Sequence, residues 1–349
     1  MTSYFRANVE AMDGYVPGEQ PTDPAVIKLN TNENPYPPSP RVMEAIAQVT
    51  PDQLRRYPHP LGERFRRTAA EVFAVRPEQI ICGNGMDDIL NLVVRAFTGP
   101  EAALVYPVPT YSLYPCLAQI QEAVVREIPW GPNGALPLDA LVEARGRLTI
   151  LANPNAPTGI FTPVEQVAAL ADALDGVLCV DEAYVDFAES NCLELARTRP
   201  NVLVMRTLSK GYSLAGLRFG FAVGDERLIA GLMKIKDSYN VDAVAIVAAA
   251  AAVADQDYHR QIREKVIIER QRLTRALIGL GLPPLPSQSN FLFLQVSHPP
   301  AARVYESLKA RGILVRYFNI EGIRDFLRIT VGTPEQNDAL IAALKELIG

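Results

Sequence analysis

The sequence predicts an α/β protein with a large, mostly parallel sheet of seven strands and a smaller α+β domain. Strand-like and helix-like segments alternate from about residue 79 to residue 223, a pattern that puts helices on both faces of a parallel sheet. After Asp225 the alternation stops and charged, helical sequence replaces it. The chain has 349 residues, of which 48% are hydrophobic, and is therefore long enough for two domains with separate cores.

The seven strands of the large sheet are predicted from short apolar runs that end at turn residues. They are Gln79–Cys82, Ala102–Tyr106, Ala123–Ile128, Leu148–Ala152, Val177–Val180, Val202–Thr207 and Phe219–Val223. Helical patterns lie between several of these strands, for example at Asp87–Phe97 and Pro163–Leu174. Parallel neighbours need crossover connections of this kind, so the order favours a parallel arrangement.

The C-terminal part predicts a long helix followed by a small domain. Asp257–Ile278 contains no glycine or proline, which favours one continuous helix that links the two domains. The small domain is predicted to contain strands at Asn290–Val296, Ile313–Arg316 and Phe326–Val331 and helices at Ala301–Arg311 and Pro334–Ile348.

The N-terminal part differs from both domains in composition. Residues Asp13 to Pro40 are rich in Pro, Asn and Gly, which predicts an extended arm. We therefore expect three parts: an arm at residues 1–40 that partly joins the small domain, a large domain at 41–255, and a small domain at 256–349.

Composition excludes several classes of function. The net charge of −5 gives no basic surface for nucleic acid. The longest apolar run, Ala243–Ala254, is too short to span a membrane and predicts a buried helix, and residues Met1–Glu10 do not resemble a signal peptide. The four cysteines lack metal-site spacing, so we expect reduced thiols, no metal, and a cytoplasmic location. With only three histidines, the chain favours lysine chemistry.

The strongest chemical signal is the segment from Thr207 to Gly220. Lys210 follows Thr207 and Ser209, and Arg218 lies eight positions further on, in a loop between two predicted core strands. A lysine amine in such a loop can form a Schiff base with an aldehyde cofactor. The hydroxyls and the arginine fork can hold a phosphate. The alternative is a surface turn with a solvated lysine, which the flanking buried strands argue against.

Two further motifs end predicted strands at the same sheet edge. Gly83-Asn84-Gly85-Met86-Asp87 opens a helix, whose first N–H groups form an anion site, although most such turns are only turns. Asp181 ends another strand, and Tyr184 lies three residues on. A buried carboxylate there needs a cationic partner, such as a protonated pyridine nitrogen, and the tyrosine can donate to a phenolic oxygen. The alternative for Asp181 is a helix cap.

Proline-rich loops follow two other strands. In the first, Tyr111 can stack on a flat ring, or simply pack. In the second, Asn153-Pro154-Asn155-Ala156-Pro157 predicts an extended turn with possible cis bonds. Its asparagines can reach a ligand, and the alternative is a plain turn.

Two arginines mark the small domain. Arg328 lies inside an apolar predicted strand, where a charge is costly unless it is paired, and Arg316 precedes it. A carboxylate or phosphate on a substrate is a natural partner for either, and an interdomain salt bridge is the alternative.

Together these motifs resemble the pyridoxal-phosphate aminotransferases of the aspartate aminotransferase type, fold type I, and within them most closely the histidinol-phosphate branch. The resemblance covers nearly the whole chain. It begins at Lys28-Leu29-Asn30-Thr31-Asn32-Glu33-Asn34-Pro35-Tyr36, passes through Arg56-Tyr57-Pro58 and the motifs above, and ends at Leu327-Arg328-Ile329-Thr330-Val331-Gly332-Thr333. It implies a class-II enzyme of histidine biosynthesis that exchanges an amino group between a small-molecule donor and a keto acceptor.

The resemblance also implies a role for each site residue. Lys210 would carry pyridoxal phosphate, Asp181 would pair with its ring nitrogen, Tyr184 would reach its phenolic oxygen and Tyr111 would stack on its ring. Its phosphate would be held by Thr207, Ser209, Arg218 and the backbone at Gly85 and Met86, and by Tyr57 of a neighbouring subunit, so that a homodimer shares its sites. Arg316 and Arg328 would bind the substrate's acidic groups, and Tyr15 would lie in an arm that closes over the site.

One departure and three alternatives remain. Where the family often has an asparagine directly before Pro-Thr-Gly, this chain has Ala156, so the ring-oxygen contact must come from Asn155 or be lost. An aromatic amino acid aminotransferase, a threonine-phosphate decarboxylase and a non-catalytic ligand-binding domain of a regulator share these motifs. Retention of Lys210 argues for chemistry, whereas the side-chain pocket that selects the substrate is not fixed by the motifs.

Overall fold

The structure is a computed structural model, and it describes residues 4–14, 17–131 and 135–348. Over these residues the strands are β1 (Ile27–Lys28), β2 (Ile80–Gly83), β3 (Leu104–Val108), β4 (Val125–Pro129), β5 (Leu148–Ala152), β6 (Val177–Asp181), β7 (Val202–Thr207), β8 (Gly220–Gly224), β9 (Phe291–Gln295), β10 (Ile313–Leu314), β11 (Arg316–Tyr317) and β12 (Phe326–Thr330).

The described helices follow the same chain order. They are α1 (Ala7–Ala11), α2 (Pro40–Ala47), α3 (Pro51–Leu54), α4 (Glu63–Phe73), α5 (Met86–Phe97), α6 (Leu113–Ile120), α7 (Leu138–Glu143), α8 (Val164–Ala173), α9 (Leu193–Thr198), α10 (Glu226–Met233), α11 (Ala243–Ala254), α12 (Gln256–Gly279), α13 (Ala301–Ala310) and α14 (Pro334–Ile348), with short 3-10 turns at Pro77–Gln79, Val185–Phe187 and Ala215–Leu217. None of these helices is long and apolar enough to cross a membrane.

A seven-stranded sheet forms the centre of the molecule, as predicted. Its strand order is β2-β8-β7-β6-β5-β3-β4. Strand β8 runs antiparallel to β2 and β7, and the other six strands all run in one direction. Every residue of β5 and β7 is buried, because helices cover both faces of the sheet. The parallel strands therefore end at one common edge, where the loops that follow them meet.

The alanine-rich helix α11 packs tightly inside the large unit. It contacts α4 and α2, and its small side chains allow this close approach. The Asp242 carboxylate caps its first turn by accepting from the Ala245 N–H at 2.8 Å. The prediction of a buried helix at Ala243–Ala254 is thus confirmed.

The C-terminal strands belong to two small sheets. β11, β12 and β9 make an antiparallel sheet, whereas β10 pairs in parallel with β1 of the N-terminal arm. The prediction of a single strand over Ile313–Arg316 was therefore wrong, because the chain changes sheets at the buried Val315. Pairing of β1 with β10 fastens the arm to this part of the molecule, and α12 packs on α14 and β9.

Candidate active site

A cavity of about 200 Å³ opens at the common edge where the parallel strands end. Loops after β3, β5, β6 and β7 form one side of it, and the arm and the β11–β12 segment form the other. Most of the residues singled out from the sequence line it together: Met86, Tyr111, Asp181, Tyr184, Thr207, Ser209, Lys210, Arg218, Arg316 and Arg328. The fold therefore brings together side chains that are far apart in the sequence.

Lys210 lies in the cavity just after strand β7. Its Nζ donates to the Thr31 carbonyl at 3.0 Å and lies 6.0 Å from the centre of the Tyr184 ring. Burial, and next the positive charge of Arg328, lower the pKa of the Lys210 amine to about 8. At neutral pH about a tenth of the amine is then neutral, which is the form that acts as a nucleophile or base.

Asp181 is the last residue of β6 and is almost completely buried. One carboxylate oxygen accepts from the Tyr114 hydroxyl at 2.5 Å, and the other accepts from the Ala183 N–H at 3.0 Å. Burial, with a smaller contribution from the acidic neighbours Asp87 and Glu182, raises the pKa of Asp181 to about 6, although the hydrogen bonds from Tyr114 and Ala183 act in the opposite direction. A cationic group in the cavity would stabilise the ionised carboxylate.

An anion cup lies at the start of helix α5. Ser209 Oγ accepts from Thr207 Oγ1 at 2.9 Å and from Arg218 Nη1 at 3.4 Å, so the two hydroxyls and the guanidinium converge. Gly85 has a φ of +87°, and a Cβ there would lie 2.7 Å from Arg218 Nη2. Glycine thus permits the close approach of the backbone, and the first N–H groups of α5 face the cup.

Two tyrosines border the space between this cup and Asp181. The Tyr111 hydroxyl donates to Asp87 Oδ1 at 3.3 Å, and its ring meets the Tyr114 ring edge-on. The Tyr184 hydroxyl accepts from Asn32 Nδ2 at 2.9 Å, which links the arm to the β6 loop. The rings and hydroxyls of Tyr111 and Tyr184 are therefore both held in place at the cavity.

Arg316 and Arg328 lie side by side on neighbouring strands of the small antiparallel sheet. They are directly paired residues of β11 and β12, and both side chains line the cavity. Arg328 Nη2 donates to the Asn30 carbonyl at 3.1 Å. Two guanidinium groups on one wall are able to hold an anionic part of a ligand.

Two of the predicted residues have other surroundings, and a third is not described. Asn155 is buried, and its Nδ2 donates to the Pro109 carbonyl at 3.0 Å and to Thr158 Oγ1 at 2.9 Å, while Ala156 and Pro157 line the cavity. Its contact to a ligand therefore stays a prediction. Tyr57 is 81% exposed, away from the cavity of its own chain. Tyr15 lies outside the described residues.

Sequence reasoning missed several residues of the site. Tyr114 reaches Asp181 from helix α6, Asn32 and Thr31 come from the arm, and Phe318 lines the cavity beside the arginines. The arm residues belong to the Asn30-Thr31-Asn32 motif, so that motif was a usable signal. Tyr114 lies in an ordinary helical pattern, and nothing in the sequence indicated that it belongs to the site.

The four cysteines are free thiols, and Cys82, Cys179 and Cys192 are buried. Over the described ranges, no group of three or more His, Cys, Asp or Glu side chains is arranged to hold a metal ion.

Comparison with known proteins identifies the family. The model of the family "Aminotransferase class I and II" matches residues 24–344 of this chain. The chain is 51% identical over 349 residues to histidinol-phosphate aminotransferase 1 from Trichormus variabilis, with 100% of both chains covered. It is 45% identical over 345 residues to histidinol-phosphate aminotransferase from Citrifermentans bemidjiense, with 98% of each chain covered.

A solved structure extends the similarity to the fold. Histidinol-phosphate aminotransferase from Sinorhizobium meliloti in complex with pyridoxal-5'-phosphate is 28% identical, with a TM-score of 0.90 over 100% of this chain and 98% of that one. The fold-type-I architecture that the resemblance implied is thereby confirmed. This chain therefore belongs to the family of class I and II aminotransferases.

Proposed function

We propose that this aminotransferase uses pyridoxal phosphate to exchange the amino group between histidinol phosphate and 2-oxoglutarate, giving imidazole acetol phosphate and glutamate. The observation that carries the proposal is a single cavity lined by a half-buried lysine of lowered pKa, a buried carboxylate and two arginines. The relatives named for this activity are similar over the whole length of the chain, which supports the choice of substrate.

The residues present fit the cofactor. Asp181 is a buried carboxylate whose acidic neighbours favour a cationic partner, and a protonated pyridine nitrogen is such a partner. The anion cup of Thr207, Ser209 and Arg218 at the start of α5 suits a phosphate group, and Gly85 keeps its floor clear of a side chain.

Each side chain then has a defined task in holding the cofactor. Asp181 would hold the ring nitrogen, and Tyr184 the phenolic oxygen. Tyr111 would cover one face of the ring. Thr207, Ser209, Arg218 and the backbone N–H groups of Gly85 and Met86 would hold the phosphate. Tyr114 and Asn32, which donate to Asp181 and Tyr184, would keep those two groups in position.

The chemistry depends on proton movement by Lys210. When bound, pyridoxal phosphate withdraws electrons from the substrate's reacting carbon and carries the amino group between the two substrates. The Lys210 amine would accept the proton from that carbon and deliver it to the cofactor carbon that carries the amino group, because its lowered pKa leaves part of it neutral at working pH. The Thr31 carbonyl holds the amine at 3.0 Å. Arg316 and Arg328 bind the phosphate of one substrate or the distal carboxylate of the other, since a guanidinium fork suits both anions.

We also propose a homodimer in which Tyr57 of one subunit reaches the cofactor phosphate of the other. Tyr57 is 81% exposed and stacks on Tyr239, itself 47% exposed, at 4.4 Å between ring centres. Met43 and Leu54, at 60% and 61% exposure, are further large apolar side chains on the surface. Exposed apolar groups of this size favour an interface. The expected cytoplasmic location stays a prediction.

A panel of amino donors tests the choice of substrate. Purified enzyme is given 2-oxoglutarate with histidinol phosphate, phenylalanine, tyrosine or threonine phosphate at matched concentrations, and glutamate and carbon dioxide are measured. We expect histidinol phosphate to give the highest kcat/KM, with glutamate formed. Faster turnover of phenylalanine or tyrosine would move the chain to the aromatic branch. Release of carbon dioxide from threonine phosphate would identify a lyase.

A further inference from the structure

Both arginines of the anion wall lie over one aromatic ring. The guanidinium carbon of Arg316 is 5.6 Å from the centre of the Phe318 ring, and that of Arg328 is 5.4 Å from it. Arg328 also lies 5.2 Å from the centre of the Phe291 ring. Two like charges at paired positions of β11 and β12 repel each other, and a ring face that attracts both cations offsets that repulsion.

The Phe318 ring itself packs against an apolar cluster. It meets the Phe293 ring edge-on at 6.2 Å, and Phe293 is fully buried and stacked on Phe326 at 4.7 Å. Ile323 belongs to the same apolar cluster. Because this cluster fixes the ring, Phe318 presents a constant surface to the cavity that it lines.

We infer that Phe318 is a positioning residue, whose ring holds the Arg316 and Arg328 guanidinium groups in place before the substrate's distal anion arrives. The inference rests on the proposed function only in taking these arginines as the substrate's anion site. A guanidinium group that already has its binding position loses less conformational freedom when the anion binds. The anion therefore binds more tightly. The role depends on the π face of the ring, so an aliphatic side chain of similar bulk cannot replace it.

The test measures binding of glutarate, an unreactive five-carbon dicarboxylate, to the enzyme loaded with its cofactor, by titration calorimetry. Phe318→Leu and Phe318→Met, which keep apolar bulk without a ring, should each raise the Kd by about ten-fold, equivalent to about 1.4 kcal/mol. Phe318→Tyr, which keeps the ring, should bind within about two-fold of wild type. In turnover, Phe318→Leu should raise the KM for glutamate while kcat stays within about two-fold, the pattern of lost uniform binding.

Two controls separate positioning from general packing. Phe326→Leu perturbs the same aromatic cluster from its far side, so it should lower the thermal midpoint but leave the Kd for glutarate within about two-fold. In an Arg316→Ala background, Phe318→Leu should raise the Kd by only about three-fold, because one of its two guanidinium partners is gone.

Several outcomes would overturn the inference. They are an unchanged Kd in both Phe318→Leu and Phe318→Met, an equal loss in Phe326→Leu, or a wild-type enzyme that does not bind glutarate. Failure of the proposed function looks different. The enzyme would then reject histidinol phosphate in the donor panel, while the effect of Phe318 on glutarate binding remained.

Discussion

At the scale of single residues, burial shifts the pKa values of the two groups on which the proposed chemistry depends. Lys210 and Asp181 both lie in the cavity, and removal from water disfavours the charged form of each. The pKa of the amine is lowered to about 8, and the pKa of the carboxyl is raised to about 6. The fold therefore favours the neutral forms of the Lys210 amine and the Asp181 carboxyl. Keeping either group charged in the cavity without a ligand costs some stability.

Lys210→Ala should lower kcat by about 10²–10⁴-fold or more, because in our proposal both the cofactor's attachment point and the proton carrier are lost. Borohydride reduction of the wild-type enzyme should fix the cofactor to Lys210, and peptide mass spectrometry would locate it. The exposed Lys345→Ala serves as the control and should retain activity. An adduct on any other lysine would contradict the assignment.

Asp181→Asn should stabilise the cofactor-free protein at pH 8. A raised pKa in the folded state favours folding only while the carboxyl is protonated, so this contribution is complete below the unfolded pKa near 4 and is lost as the pH rises through about 6. The neutral asparagine avoids that loss, which amounts to about 3 kcal/mol at pH 8. Urea unfolding of both proteins at pH 4 and pH 8 measures it.

The same substitution should have the opposite effect on the loaded enzyme. In our proposal the carboxylate there pairs with a cationic ring nitrogen, and Asp181→Asn should lose about 3 kcal/mol or more of transition-state stabilisation. The exposed Asp257→Asn controls for the change in net charge. Equal stability of wild type and Asp181→Asn at both pH values, together with near-normal activity, would reduce Asp181 to a structural cap.

At the scale of elements, a buried amide joins the end of β12 to helices α14 and α12. Asn337 Nδ2 donates to Glu269 Oε2 at 2.9 Å and to the Gly332 carbonyl at 3.1 Å, and its Oδ1 accepts from the Gly332 N–H at 3.0 Å. Asn337 is completely buried, so water cannot replace these partners. The long helix α12 is thus fixed to the strand that carries Arg328.

Asn337→Ala should therefore destabilise the protein by about 2–4 kcal/mol, because the Gly332 N–H and a Glu269 oxygen are left buried without this partner. The matched control is the neighbouring Asp338→Ala. Its exposed carboxylate pairs with Arg272 at 2.6 Å, and loss of such a pair costs at most about 1 kcal/mol. Chemical unfolding of both variants gives the comparison, and equal losses would refute the role of the buried amide.

At the scale of the whole molecule, the site is divided between distant parts of the chain and, in our proposal, between two chains. The arm supplies Thr31 and Asn32, the large sheet supplies Lys210 and Asp181, and the small sheet supplies Arg328. Tyr57 lies on the surface outside this cavity. A two-fold interface is the arrangement that would bring it to a partner's site.

Mixing two inactive variants tests that arrangement. Lys210→Ala and Tyr57→Ala subunits should regain up to about a quarter of wild-type activity after exchange, because half of the randomly mixed dimers have one site without either defect. Activity is assayed before and after subunit exchange, with each variant alone as control. Sedimentation as a monomer, or no gain on mixing, would count against a shared site.

The sequence by itself determined the elements and the core of the site. The strands of the large sheet lie within two residues of their predicted bounds, because apolar alternation and turn residues are local signals of burial. Asp181 ends one buried strand, Lys210 follows the next, and Arg218 lies at the other end of the loop that Lys210 begins. Their meeting at one edge therefore followed from neighbouring strands of a largely parallel sheet. The proposed division into an arm and two domains rests on the same local signals.

Only the tertiary structure decided which side chains complete the site. Tyr114 donates to Asp181 across 67 residues of sequence, and Asn32 donates to Tyr184 across 152. Asn155 turns toward its own loop, and the predicted strand at Ile313–Arg316 divides between two sheets. Local pattern encodes whether a residue is buried, but partners this far apart are selected by packing and hydrogen-bond geometry, which exist only once the chain has folded.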